Sequence, residues 1–195
     1  MAILKIARMG HPVLQRRAEP VDDPTSPDIH GLISDMLETM ADANGTGLAA
    51  PQVHVPLRVI VFFVSEHRAT DDPDDGPVPL TALINPEIEV IGDEVQSGWE
   101  GCLSLPGLTG EVERPNRIRY RGYTPGGDLL EREASGFHAR VVQHEFDHLE
   151  GVLYPMRMTD AARFGFAEEI GRVRAAEMRA EAEAREEAEA AASAG

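Results

Sequence analysis

His144 and His148 stand four residues apart, with Glu145 directly after the first, in the stretch QHEFDH. On a helix, positions i and i+4 lie one turn apart on one face, so both imidazoles can aim at one point. Glu145 then lies beside that face, within reach of a water on a bound metal, the logic of an H-E-x-x-H metal helix. Shuffling this composition yields the pattern about 3 per cent of the time, so two histidines need a further donor. A catalytic metal site usually takes three protein ligands and keeps one position for water. Cys102, the one cysteine, is the obvious third candidate. It sits in EGCLSLP, a strand-end or loop context where Gly101 lets the backbone come close to a ligand. The alternative for a lone cysteine is an inert small hydrophobe.

A third stretch, GTGLAAPQ from Gly45 to Gln52, combines two glycines, small residues, a proline and an amide. It lacks the spacing of a P-loop or a dinucleotide fingerprint, which argues against phosphate cradling. Two readings stay open on spacing alone. One is a tight turn presenting the Gln52 amide to a reacting carbonyl; the other is a plain turn.

The elements that must position these residues read as α+β. PDIHGLISDMLETMADAN carries Ile29, Leu32, Ile33, Met36, Leu37 and Met40 at helical spacing and predicts a helix over about 27–43. PLRVIVFFV reads as a buried strand. TDDPDDGPVP, with four aspartates, three prolines and a glycine, reads as a solvated loop without function. LTALINPEIEVIG and VERPNRIRYRGYTPGGDLLERE alternate like antiparallel strands, with PGGD as a hairpin turn. Helical patterning returns from Gly136 to Leu149 and carries the two histidines. Helix, then strands, then helix points to α+β rather than a doubly wound sheet. The end of the chain is almost wholly Ala, Glu and Arg, strong helix formers. Phe166, Ile170 and Val173 could anchor its start. Beyond Met178 only alanine remains on the apolar side, so a solvated helix is expected there.

A chain of 195 residues with 42% hydrophobic content can bury one proper core. The net charge of −16 argues against a nucleic-acid footprint and against docking on anionic membranes. The longest apolar run, Val59 to Val64, is far too short to span a bilayer, and the opening residues lack a signal-length apolar region. One cysteine gives no internal disulfide framework. A soluble, cytoplasmic protein in a reducing compartment is expected.

GTGLAAPQ, EGCLSLP and QHEFDHLEG, in that order, resemble the three signature motifs of bacterial peptide deformylases. The opening ILKIARMGHPVLQRRAEPV is similar to that family's usual start, and the likeness runs from about residue 3 to 158. The resemblance implies antiparallel strands packed around a central metal-binding helix, with a C-terminal helix. It implies a catalytic domain over 1–159, and the composition adds a helical tail over 160–195 that is not a core feature of that family. The reaction implied is hydrolytic removal of the formyl group from the N-terminal methionine of new polypeptides, releasing formate. By the same resemblance, Cys102, His144 and His148 would hold one divalent metal ion. Iron(II) is expected from the family, while zinc, nickel or cobalt also suit a thiolate with two imidazoles. Glu145 would carry the proton, and the Gln52 amide with the Leu103 N–H would stabilise the oxyanion. Gly45, Thr46, Gly47, Glu100 and Gly101 would shape the cleft. Phe137, Arg140 and Val141, with Thr46, would wall an apolar methionine pocket, the Arg140 stem packing there while its head reaches water.

The implied partners are N-formyl-methionyl nascent peptides, with no DNA and no membrane. Ribosome contact should be weak, because residues 160–195 carry 5 Arg against 9 Asp and Glu, a net −4. A zinc metallopeptidase using the same helix would need a ligand after it, and residues 149–195 hold no His or Cys. A non-catalytic metal staple would need a fourth ligand, such as His11, His30, His54, His67 or His138.

Overall fold

Strand alternation along Val59–Val64 decides where both helices close. Ile60, Phe62 and Val64 point to one side and Val59 and Val61 to the other, the two-residue period of a strand. The computed structural model describes residues 2–193 except 69 and 71, and their side chains except those of 177, 181, 183 and 186–193. In chain order it contains α1 (Pro27–Asp42), β1 (Gly47–Ala49), β2 (Val59–Val64), β3 (Val78–Val90), β4 (Val95–Gly101), β5 (Leu108–Pro115), β6 (Arg117–Tyr123), β7 (Leu129–Ser135), α2 (Gly136–Leu149), β8 (Phe164–Phe166) and α3 (Ala167–Ser193). One sheet has the order β1-β2-β3-β6-β7 and a second β4-β5-β8, with every pairing antiparallel. The fold is α+β, as expected from the sequence.

The first face of β2 packs with Ala139, Val142 and Leu149 of α2, and the second with Ile29, Ile33, Met36 and Met40 of α1. Each such large side chain taken out of water contributes about 1.5–3 kcal/mol. The opposite, polar side of α2 turns to the second sheet, where Gln143 donates to the Pro115 carbonyl and Asp147 meets Arg114. The metal-motif helix is thus held between two sheets. The PGGD turn joins β6 to β7, with the Thr124 N–H donating to the Asp128 carbonyl at 2.8 Å.

The start of α2 corrects one expectation. Ser135, at its N-cap position, makes no side-chain cap. Asp75 does so from the TDDPDDGPVP stretch: it is buried and accepts the His138 N–H at 3.0 Å. Gly136, at φ +54°, is needed there, since a Cβ would lie 2.4 Å from Asp75 Oδ2. The Ser135 hydroxyl donates to Asp72 at 2.7 Å, and Arg117 pairs with Asp74 at 2.8 Å. Asp71 lies outside the described residues. The loop read as merely solvated therefore seals α2, because the free N–H groups of a helix start favour a carboxylate.

The tail departs from its sequence reading at its beginning. β8 pairs with β5, Leu108 opposite Phe166 and Gly110 opposite Phe164, so residues assigned to the tail enter the second sheet. Of the expected anchors, Ile170 lies against Gly165, but Phe166 and Val173 are exposed. Strand pairing takes the place of an apolar stripe, helped by Arg163 and Arg174, whose guanidinium carbons lie 5.0 and 5.5 Å from the Trp99 ring centre.

Candidate metal centre

β4 ends at Gly101, so Cys102 is the first residue off the strand and faces α2. Its Sγ lies 3.3 Å from His148 Nε2. Donor atoms of Cys102, His144 and His148 all fall within 4.8 Å of one another. Among the described residues, no other trio of His, Cys, Asp or Glu comes together in this way. A thiolate with two imidazoles suits a borderline divalent ion, and three protein ligands leave a position for water. Burial holds His148 well below its usual range, which favours the neutral imidazole that a metal needs.

Gln52 arrives on the short 3-10 turn Ala50–Val53. Its Oε1 accepts the Ala49 N–H at 2.8 Å, which fixes the amide orientation. Nε2 then points to Cys102 Sγ at 3.5 Å and to Ser104 Oγ at 3.2 Å. Glu145 enters from α2 beside Gly47, where a Cβ would sit 2.3 Å from its Oε1. Only glycine lets β1 come this close. Glu145 Oε2 is buried and accepts no hydrogen bond from the described residues. Burial pushes the Glu145 carboxyl up to about 7, against the pull of His144.

Glu100 organises the polar layer beneath the cluster. Arg114 grips it with Nε at 2.8 Å and a second nitrogen at 2.9 Å. Arg140 adds a donor at 2.9 Å, and His144 Nδ1 sits 2.8 Å from Oε2. With the proton on Nδ1, the other ring nitrogen of His144 is left as a ligand. Burial alone would raise Glu100, but Arg114 and His144 outweigh it and hold the carboxyl well below the usual range. Arg114 also reaches Asp147 at 2.6 Å, and Arg157 closes the other side of Asp147 at 2.6 Å. Removing one partner from such a buried set leaves an uncompensated charge, at a cost of about 3–5 kcal/mol.

The cleft above the cluster has a volume of about 520 Å³. Gly45, Thr46, Gly47, Gln52, Glu100, Gly101, Cys102, Leu103, Phe137, Arg140, Val141, His144 and Glu145 all line it, so the residues proposed from sequence converge. His148 completes the cluster from beneath, 1% exposed. The placement of Arg140 is different from the expectation. Its head does not reach water: it donates to Glu100 and to the Val112 and Gln96 carbonyls, and the residue is buried. Gly98 makes room, since a Cβ there would lie 2.8 Å from the guanidinium carbon. Arg68 adds an unforeseen wall, stacked 4.9 Å over Phe137. Ser104, Arg114, Asp147 and Arg157 were not singled out from sequence. The available signal was Asp147, a carboxylate inside the histidine motif one turn from His144.

The model of the family described as polypeptide deformylase matches residues 3–164. The chain belongs to the polypeptide deformylase family. Peptide deformylase 1 of Bordetella pertussis is 54% identical over 164 residues, which cover 84% of this chain and 92% of the relative. Peptide deformylase 2 of Ralstonia nicotianae is 52% identical over 166 residues, 85% and 93% of the two chains. Among solved structures, the peptide deformylase of Ehrlichia chaffeensis superposes with a TM-score of 0.76 at 33% identity, covering 90% of this chain and 97% of that one. The Met-ala-ser bound class I type b peptide deformylase of Acinetobacter baumannii gives 0.72 at 38%, covering 80% and 98%. Deformylases depend on a metal, and the Cys102, His144 and His148 cluster is where this chain can hold one. Among the described residues, no helix is long and apolar enough to cross a membrane.

Proposed function

We infer that Cys102, His144 and His148 hold the divalent ion of a deformylase that hydrolyses the formyl amide of N-formyl-methionyl nascent peptides and releases formate. The observation that carries this reading is the donor trio, with Gln52 Nε2 3.5 Å from the Cys102 sulfur and the buried Glu145 carboxylate lining the same cleft. Bound there, the ion would supply Lewis acidity and let a water lose its proton near neutral pH. Glu145 accepts the proton of the attacking water at Oε2 and passes it to the departing amine. Gln52 Nε2 and the Leu103 N–H donate to the formyl oxygen as it gains charge, favouring the transition state over the ground state. Glu100 keeps the proton on His144 Nδ1 throughout, a positioning role.

Peptide binding follows from sheet order. β1 and β4 are both edge strands, and residues at 44–47 and 99–102 line the cleft. An extended peptide laid between them can add backbone hydrogen bonds on both sides. Its methionine side chain would lie against Phe137, Val141 and the Arg140 stem, with Thr46 opposite. The catalytic unit, expected over 1–159, takes in β8 as well, and α3 beyond Arg174 is a solvated tail with weak ribosome contact. A metallopeptidase reading requires a ligand after α2, whereas the third donor at hand is Cys102.

Iron(II) is the proposed ion and the cytoplasm the proposed compartment. Metal analysis of anaerobically purified protein, paired with formate release from a formyl-methionyl peptide, tests this. Iron with formate release is expected, and zinc exchange should lower turnover while raising resistance to air. Equal turnover for both metals contradicts the iron assignment, and cleavage of internal peptide bonds without formate contradicts the reaction.

A further inference from the structure

A second cavity, of about 900 Å³, is larger than the metal cleft and shares Leu103 and Pro106 with it. Its walls carry Lys5, Arg8, His11 and His54, and no carboxylate lines it. That is an unusual lining for a chain with 34 Asp and Glu against 18 Lys and Arg. His11 and His54 stand edge to face with ring centres 4.7 Å apart, which fixes this wall across the two segments. Lys5 and Arg8 are both exposed.

The path from the metal centre to this cavity can be traced along one segment. Gly47 abuts Glu145, Gly45 lies against Leu103 (2.9 Å from Cδ1 to a Cβ built there), and Ala43 lines the second cavity. A peptide with its formyl end at Glu145 that leaves past Leu103 advances about 3.3 Å per residue. Leu103 and Pro106 line both cavities, so a peptide leaving that way passes into the one that Lys5 and Arg8 line.

We propose that this cavity is a subsite for acidic side chains at the third and fourth positions of the substrate peptide, a selectivity that rests on the deformylase reading. The charge of the whole chain repels an acidic peptide, but that field is screened within about 8–10 Å at ordinary salt, so the nearest cations decide locally. Two exposed cations facing carboxylates give a preference of about fivefold.

The test compares kcat/KM for formyl-Met-Ala-Glu-Glu-amide with that for formyl-Met-Ala-Ala-Ala-amide in the same preparation. The expected ratio is about five at low ionic strength, carried by KM, and it falls towards one in about 0.5 M salt. The double variant Lys5→Glu/Arg8→Glu should take the ratio below one. A wild-type ratio near one at low salt, a ratio indifferent to salt, or one unchanged by charge reversal overturns the subsite. Should the double variant fail to fold, the salt titration of the wild type decides alone. Failure of the wild type to deformylate even the alanine peptide would refute the deformylase reading instead.

Discussion

Arg140→Met removes a guanidinium while keeping a stem of similar bulk against the methionine pocket. Glu100 Oε1 then loses one of two charged donors but keeps Arg114 Nε, and the Val112 and Gln96 carbonyls lose theirs. A hydrogen bond to a charged group is worth about 1.5–3 kcal/mol and an abandoned buried carbonyl about 1–3 kcal/mol. Relief of burying the Arg140 charge offsets part of this, leaving a net loss of about 2–4 kcal/mol. For a chain of this size that lowers Tm by roughly 5–12 °C. Catalysis should suffer less: Arg114 still orients Glu100, and Glu100 still holds His144, so kcat/KM should fall by less than about tenfold. Arg140→Lys should recover only part of the stability, because one ammonium cannot span a carboxylate and two carbonyls in a fixed fork. Thermal melts of the metal-loaded proteins, with formate release on the same samples, read both quantities. A Tm within about 1 °C of wild type would refute the reasoning, since it would mean that these three contacts carry no net weight.

Gly47→Ala places a methyl 2.3 Å from Glu145 Oε1, so turnover should drop at least about tenfold with metal content unchanged; unaltered kcat would show that Glu145 does not depend on this approach. Asp75→Asn keeps the shape of the α2 cap but removes its charge, and urea melts should show a loss of about 1 kcal/mol. Ending the chain after Arg174 should leave kcat/KM on a short peptide within about twofold. Ending it after Arg163 removes β8, unpairs β5 from Leu108 to Gly110 and should lower Tm markedly; equal stability of the two truncations would contradict the role of β8.

Much of this architecture could be read from residue order because it is local. The i, i+4 histidines, the apolar period of α1 and the alternation of β2 are each written within one stretch, and the structure places them as that patterning predicts. Charged residues with distant partners were opaque. Asp75 looked like one of four loop carboxylates, yet its partner is the His138 backbone, 63 positions on. Arg114 sits among the alternating residues of β5, with nothing nearby to mark it as the grip on Glu100 and Asp147. Arg140 lines the cleft, but sequence alone sends its head to water because a buried arginine is rare unless paired, and its pair lies 40 residues upstream. Helical composition described α3, but the three residues before it have too short a span to announce a strand, and only β5 gives them one.

In the proposed reaction Glu145 moves a proton beside an ion held by Cys102, His144 and His148. Glu145→Gln preserves the shape of the side chain and removes its basicity. The most direct test is formate release by this variant, with metal content measured on the same sample. The prediction is wild-type metal content with turnover reduced at least about 100-fold. Near-normal kcat with the metal in place would contradict it.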